Sequence, residues 1–214
     1  MKFGKMLLAL LLVLSLWISW DLLLSSKSDI RQFDPKRVGH LEKAMWRSYY
    51  EKQPLSLFLQ LASTLRIQFH APFWRSHLLA YYASKAAVTF QKGKSRKEYI
   101  KALPYLKKYY SGINDLSEQS FDVSSVAVNE LEWWIIRREP ELHQPSEWEQ
   151  LISQIAAEIY HIPIEKTSSH AELRVQAMIK RDQMGENITE NDWTEIEQTL
   201  IESWESLHQS LHEK

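Results

Sequence analysis

The stretch NELEWWIIRREPELH, residues 129–143, places two adjacent tryptophans among glutamates and arginines. At about 100° per residue, the helix that this stretch predicts has two neighbouring faces that carry its large side chains. They contain, respectively, Leu131, Trp134, Ile135 and Arg138, and Val126, Glu130, Trp133 and Arg137. A helix that is apolar around most of its circumference is surrounded by other elements. We therefore predict a central packed helix, in which each tryptophan can stack on the arginine four residues later.

Helix start signals recur along the rest of the chain. They are the N-cap and proline pair Asp34-Pro35 and the capping-box pairs Ser95 with Glu98, Ser146 with Glu149 and Ser169 with Glu172. Apolar residues between these signals repeat with helical spacing, and no run alternates as a strand would. The pattern predicts an all-α fold of antiparallel helical hairpins. Its helices cover about 35–52, 54–70, 73–91, 96–111 (with a kink at Pro104), 124–139, 146–161, 169–184 and 191–212.

One hairpin carries a family resemblance. AYYASKAAVTFQKG, residues 80–93, combines small and aromatic residues with a glycine turn, and EYIKALPYLKKYY, residues 98–110, continues with Tyr99, Ala102 and Leu106. This pair resembles a tetratricopeptide-type hairpin with a longer turn than that family uses. Tyr50, Phe90, Trp134 and Met178 are spaced by about 40 to 44 residues, which is typical of a helical repeat. The resemblance implies partner binding without catalytic residues. The alternative is an irregular, non-repetitive bundle.

The N-terminal stretch MKFGKMLLALLLVLSLWISWDLLL, residues 1–24, indicates a membrane segment. Lys2 and Lys5 precede an apolar run that spans about 28 Å as a helix. It is either an uncleaved signal anchor or a signal peptide cleaved near Ser25 and Ser26. Both place the body outside the cytoplasm, periplasmic or extracellular, although the bases Lys27, Arg31, Lys36 and Arg37 oppose that orientation. We predict an anchor over 1–24, a linker over 25–33 and a helical domain over 34–214.

Composition narrows the chemistry. The chain has no cysteine, which excludes disulfides and thiolate metal sites, and its net charge of -1 disfavours nucleic-acid binding. Two pairs have metal-ligand spacing, Glu158 with His161 and His208 with His212, but neither has further ligands in its context. No phosphate-binding loop or nucleophile motif is present. We expect no metal, no cofactor and no nucleic-acid partner.

Four charged residues fall on the apolar faces of predicted helices. They are Glu42, Arg75, Arg138 and Asp182, two acids and two bases. Because an isolated buried charge is very unfavourable, such groups form ion pairs or line a polar cavity. They are therefore either latches between hairpins or a pocket in which Arg75 and Arg138 bind an anionic group.

The leading functional hypothesis is a membrane-anchored, non-catalytic helical binding or scaffold protein, held by its N-terminal helix outside the cytoplasm. It would bind a protein partner or an anionic ligand. One alternative is an enzyme or cofactor-binding bundle with its site around the four charges. A second is a structural subunit of a membrane complex.

Overall fold

A computed structural model describes residues 2–23 and 27–213. Its helices are α1 Lys2–Leu23, α2 Pro35–Tyr50, α3 Pro54–Gln68, α4 Phe73–Lys92, α5 Arg96–Tyr99, α6 Leu103–Leu116, α7 Val123–Ile136, α8 Pro145–Tyr160, α9 Ser168–Met184 and α10 Glu190–His212. Within the described ranges no strand occurs, and β-type pairing is limited to one isolated bridge between Ser28 and Ser117. The all-α prediction and the apolar N-terminal helix are confirmed.

Local chemistry explains several helix ends. Asp34 accepts a hydrogen bond from the backbone N–H of Arg37 at 3.1 Å, so the predicted start of α2 is confirmed. The capping box of α8 differs from the predicted Ser146 and Glu149: it is formed by Gln144 and Glu147, because Pro145 already occupies the first turn.

Two other predicted boundaries also shift. The predicted helix over 96–111 divides into α5, a 3₁₀ turn over Ile100–Ala102 and α6, with Pro104 in the first turn of α6. The predicted start near 169 lies one residue from the observed start of α9 at Ser168, but Ser169 is not the N-cap, because a 3₁₀ turn over Ile164–Thr167 leads directly into the helix. At both places the chain enters a helix through a turn that is already helical. A side-chain cap therefore does not set the boundary.

The long helices of the body close into a ring. Each of α2, α3, α4, α6, α7, α8, α9 and α10 packs against the next, and α10 packs against α2 as closely as it does against α9. In an open repeat array each unit contacts only its neighbours. The predicted tetratricopeptide-like arrangement is therefore not confirmed. The observed closure places one face of every ring helix around a common axis.

The linker marks one end of this ring. The backbone N–H of Ser28 donates to the carbonyl of Leu116 at 2.8 Å, at the end of α6. The Arg31 guanidinium donates to the carbonyl of Tyr160 at 3.0 Å, at the end of α8, and His70 after α3 contacts the carbonyl of Gln32. We call this the linker end. The C-terminal ends of α2, α4, α7 and α9 lie at the opposite end, which we call the distal end.

Helix α1 docks on the linker end of α4. By length and composition, residues Phe3–Leu23 are apolar enough to cross a membrane, with a mean hydropathy of 2.2, a test that signal sequences also pass. Asp21, only 6% exposed, accepts hydrogen bonds from the backbone N–H groups of Trp74 and Arg75 at 3.0 and 3.1 Å. These groups are unpaired donors in the first turn of α4, so α1 caps the helix on which it docks. The predicted cleavage position at Ser25 and Ser26 lies outside the described residues.

Candidate functional site

The ring encloses a cavity of about 870 Å³. All eight ring helices contribute lining residues, and on α2 these run from Val38 to Tyr50. At about 1.5 Å per residue the cavity therefore extends about 18 Å along the ring axis. Its volume falls in the range of about 300–1,000 Å³ that is typical of ligand sites.

The cavity opens at the distal end. The lining residues that are exposed to solvent are Arg138, Pro140, Asp182 and Gln183, and they follow or end helices α7 and α9. We call these four residues, together with the half-buried lining residue Arg137, the mouth. At the linker end the lining is buried, and there the Gln68 side-chain amide donates to the Tyr160 hydroxyl at 2.8 Å. Because α1 docks at the linker end, the mouth lies at the end of the body away from α1.

The wall between mouth and linker end is apolar and aromatic. It includes Met45, Trp46, Leu61, Trp133, Trp148 and Ile152. Trp133 and Trp134, the adjacent tryptophans of the opening stretch, both line it, with their rings 6.1 Å apart in an edge arrangement. A wall of this kind removes the apolar part of a ligand from water, which is the main favourable contribution to binding small molecules.

A charged group lies on the inner wall, toward the linker end. Glu42 is 3% exposed and accepts hydrogen bonds from Arg174 Nε at 2.7 Å and from Trp204 Nε1 at 2.6 Å. Glu130, also on the lining, accepts from Trp134 Nε1 at 3.0 Å. We call Glu42, Glu130 and Arg174 the inner cluster. Since each carboxylate uses at least one oxygen as an acceptor, the cluster is fixed in place by its own hydrogen bonds.

Burial shifts the pKa values of two groups beside the inner cluster. Burial raises the pKa of the Tyr110 hydroxyl well above its usual value, and the negative charge of Glu130 adds to the rise. Burial likewise lowers the pKa of His170 to about 3, and the nearby positive charge of Arg174 lowers it further. Tyr110 and His170 are therefore uncharged at neutral pH.

The mouth holds one paired arginine and one arginine that has no acidic partner. Arg137 donates to both oxygens of Asp182, at 2.9 and 2.8 Å, and to the Tyr50 hydroxyl at 2.9 Å. The guanidinium of Arg138 stacks over the rings of Phe90 and Tyr99, with centroid distances of 4.5 and 5.4 Å. Among residues 2–23 and 27–213, no carboxylate oxygen lies within 4.0 Å of the Arg138 nitrogens.

Three of the four predicted site residues line the same cavity, one toward the linker end and two at the mouth. Glu42, Arg138 and Asp182 line the cavity. Arg75 lies elsewhere: its Nη2 donates to the carbonyl of Leu22 at 2.8 Å, so it joins α4 to α1. A helical wheel gave Arg75 an inward direction, but it could not show that α1 covers this end of α4. Glu42 and Asp182 do act as latches between helices, through Arg174 and Arg137.

Sequence reasoning missed Arg174, Glu130 and the role of Arg137. A signal for Arg174 was present, because it lies three residues after Ala171 and four before Met178, on the stripe already assigned to the interior of α9. Arg138 was predicted to stack on Trp134, and it stacks instead on Phe90 and Tyr99 from α4 and α5.

The residues with metal-ligand spacing have other contacts. The Glu158 carboxylate accepts from the backbone N–H of Asp122 at 2.8 Å, just before α7. His212 Nδ1 lies 2.7 Å from the carbonyl of His208. In the part of the chain that the structure describes, no group of three or more histidines, aspartates or glutamates is arranged to hold a metal ion.

The fold and the cavity define an all-α body whose helices form a closed ring around a solvent-open chamber. No protein-family model, curated protein or solved structure matches the chain. The cavity itself is therefore the basis for the functional conclusion.

Proposed function

We propose that the protein is a membrane-anchored binding protein that takes a small, largely apolar molecule into the cavity. The observation that carries this proposal is the combination of about 870 Å³ of space with an aromatic wall and charged groups at its two ends. Large apolar surfaces that solvent can reach mark interaction or ligand sites. A ligand that fills the cavity would remove this surface from water.

The position of the aromatic residues favours a small ligand over a docked protein. Trp46, Trp133, Trp148 and Trp204 face the cavity rather than the outer surface of the ring. A repeat scaffold, in contrast, presents its aromatic residues on an open concave surface. The protein partner expected from the sequence stays a prediction, as does a role as a structural subunit.

An enzyme built on the same cavity remains the alternative, and no contact in it favours a reaction. Both oxygens of Glu42 accept short hydrogen bonds, from Arg174 and Trp204. These bonds join α2 to α9 and α10 through one carboxylate, which supports a structural role for Glu42 in the wall.

We further propose that α1 stays attached and holds the body outside the cytoplasm. Support comes from Asp21 and Trp17: the carboxylate of Asp21 caps α4, and the Trp17 ring stacks on Phe73 at 5.8 Å. Cleavage near Ser25 would leave the first turn of α4 uncapped and expose the aromatic rings. With α1 in a membrane, the mouth would face the aqueous phase.

Filling the cavity tests the proposed function directly. We expect the full-length protein in nanodiscs to bind the neutral fluorescent probe N-phenyl-1-naphthylamine, with empty nanodiscs as the background. Leu61→Trp adds volume to the cavity wall and should weaken probe binding by about tenfold or more. Leu55→Trp is the matched control on the same helix, since Leu55 is 70% exposed and does not line the cavity. Equal probe binding by both variants would contradict cavity binding.

A further inference from the structure

We propose that the ligand is an amphipathic anion, whose carboxylate or phosphate group lies at the mouth on Arg138 and whose apolar chain extends inward. This inference rests on the proposed function, because it requires that the cavity binds a ligand at all. It adds the chemical class of the ligand and its direction in the cavity. Both follow from how charge is distributed between the mouth and the inner cluster.

The two ends of the cavity differ in net charge. The inner cluster contains two carboxylates, Glu42 and Glu130, and one guanidinium, Arg174, which leaves an excess of one negative charge. His170, on the same inner wall, is neutral because burial holds its pKa at about 3. An anionic group that entered this region would be repelled in surroundings that screen charge poorly. The inner end therefore favours an uncharged part of the ligand.

The mouth carries an excess of one positive charge. Arg137 is neutralised by Asp182, which leaves Arg138 as the unneutralised cation among the lining residues of the mouth. The neighbouring carboxylate of Glu139 is shared by other groups, with Arg96 Nη1 at 3.9 Å and His143 Nε2 at 3.6 Å. An anion at the mouth would thus meet one guanidinium that has no competing carboxylate.

The surroundings of Arg138 suit a planar or tetrahedral anion. The Phe90 ring centroid lies 4.5 Å from the guanidinium carbon, a cation–π contact that holds the group without occupying its N–H donors. The same donors form forked hydrogen bonds with carboxylates and phosphates. Tyr49, which also lines the cavity, is close enough for the charge of Arg138 to oppose the rise of its pKa that burial causes.

The wall in the middle of the cavity indicates the chemistry of the rest of the ligand, beyond its anionic head group. Between the mouth and the inner cluster, the wall consists of residues such as Met45, Leu61, Trp133 and Trp148. The cavity is about 18 Å long on the ring axis, which favours an extended chain over a compact ring system. A single acyl or alkyl chain with a terminal anion fits a cavity with a positive mouth followed by an apolar wall.

Displacement of the neutral probe tests the inference on the full-length protein in nanodiscs. Dodecanoate, dodecyl phosphate, dodecan-1-ol and dodecyltrimethylammonium share one chain and differ in the head group. We expect either or both anions to displace N-phenyl-1-naphthylamine about tenfold more effectively than the alcohol, and the cation least effectively. The two anions compared with each other identify which head group is preferred.

Variants of Arg138 test whether this residue causes the preference for anions over the alcohol. In Arg138→Gln the advantage of the anions over the alcohol should fall below about threefold, and Arg138→Lys should keep part of it, because lysine retains charge without the fork. Arg66→Gln is the matched control, since Arg66 also lies over an aromatic ring, Phe73 at 5.7 Å, but outside the cavity. Probe binding by each variant verifies that its cavity is intact.

The outcomes separate the two proposals. If the probe binds and the alcohol displaces it as well as the anions do, the inferred ligand class is wrong and cavity binding stands. The same conclusion follows if the cation displaces best, or if Arg138→Gln keeps the full preference for anions. If the wild-type protein does not bind the probe, the proposed function itself fails.

Discussion

Replacing Glu42 by glutamine should lower the free energy of unfolding by about 3 kcal/mol, the lower end of the range for breaking a buried ion pair. The amide can still accept from Trp204, but it no longer neutralises Arg174, whose side chain is 20% exposed. Glu130 compensates part of this charge, which is why we place the effect at the lower end. Chemical denaturation of the body, followed by tryptophan emission, measures the change.

A surface pair provides the control for Glu42. Arg47 and Glu190 also join two ring helices, α2 and α10, with hydrogen bonds of 2.7 and 2.8 Å, but the Glu190 side chain is 77% exposed. We expect Glu190→Gln to leave the free energy of unfolding close to that of the wild type, because water screens and replaces this pair. If Glu42→Gln had as small an effect as Glu190→Gln, Glu42 would not be a buried latch.

Substitution of Gly39 should open the contact that closes the ring. A Cβ at this position of α2 would lie 2.8 Å from the backbone N and Cα of Ile201 on α10. Backbone atoms cannot rotate away, so α10 must shift as a whole. We expect Gly39→Val to destabilise the protein by about 3 kcal/mol, the upper end for overpacked sites. Gly39→Ala should destabilise it less, because alanine favours a helix by about 1 kcal/mol over glycine.

Gly4→Val is the matched control for Gly39, since nothing lies within 4 Å of a Cβ at Gly4 in α1. It should leave unfolding of the body unchanged. Denaturation of the full-length protein, followed as for Glu42, compares the variants. A Gly39→Val protein as stable as wild type would show that the backbones of α2 and α10 do not approach this closely.

Helical periodicity predicted most of the architecture, because each helix leaves a local pattern. Asp34 and Pro35 marked the start of α2 through their own backbone chemistry. The closure of the ring left no such pattern. Where α2 and α10 meet, the missing side chain of Gly39 faces the backbone of Ile201, a residue far away in the chain. A sequence of hairpins is compatible with an open array and a closed ring alike.

The sequence predicted which charged side chains point toward the interior, but not which residues they pair with. Periodicity placed Glu42, Arg138 and Asp182 on inner faces, and all three line the cavity. Their partners lie on helices distant in sequence: Glu42 pairs with Arg174 and Asp182 with Arg137. Arg75 shows the limit of the helical wheel, because its guanidinium donates to a carbonyl of α1, outside the ring.

The accessibility of a single cysteine inside the ring tests the central claim most directly. The chain contains no cysteine, so Met45→Cys on the cavity wall and Ala62→Cys, at a buried site that does not line the cavity, each carry one thiol. We expect methyl methanethiosulfonate to modify Met45→Cys in the folded, nanodisc-embedded protein and to leave Ala62→Cys unmodified until unfolding. Dodecanoate should slow the reaction at Met45→Cys. Equal, slow modification at both positions would contradict a solvent-open cavity at the centre of the ring.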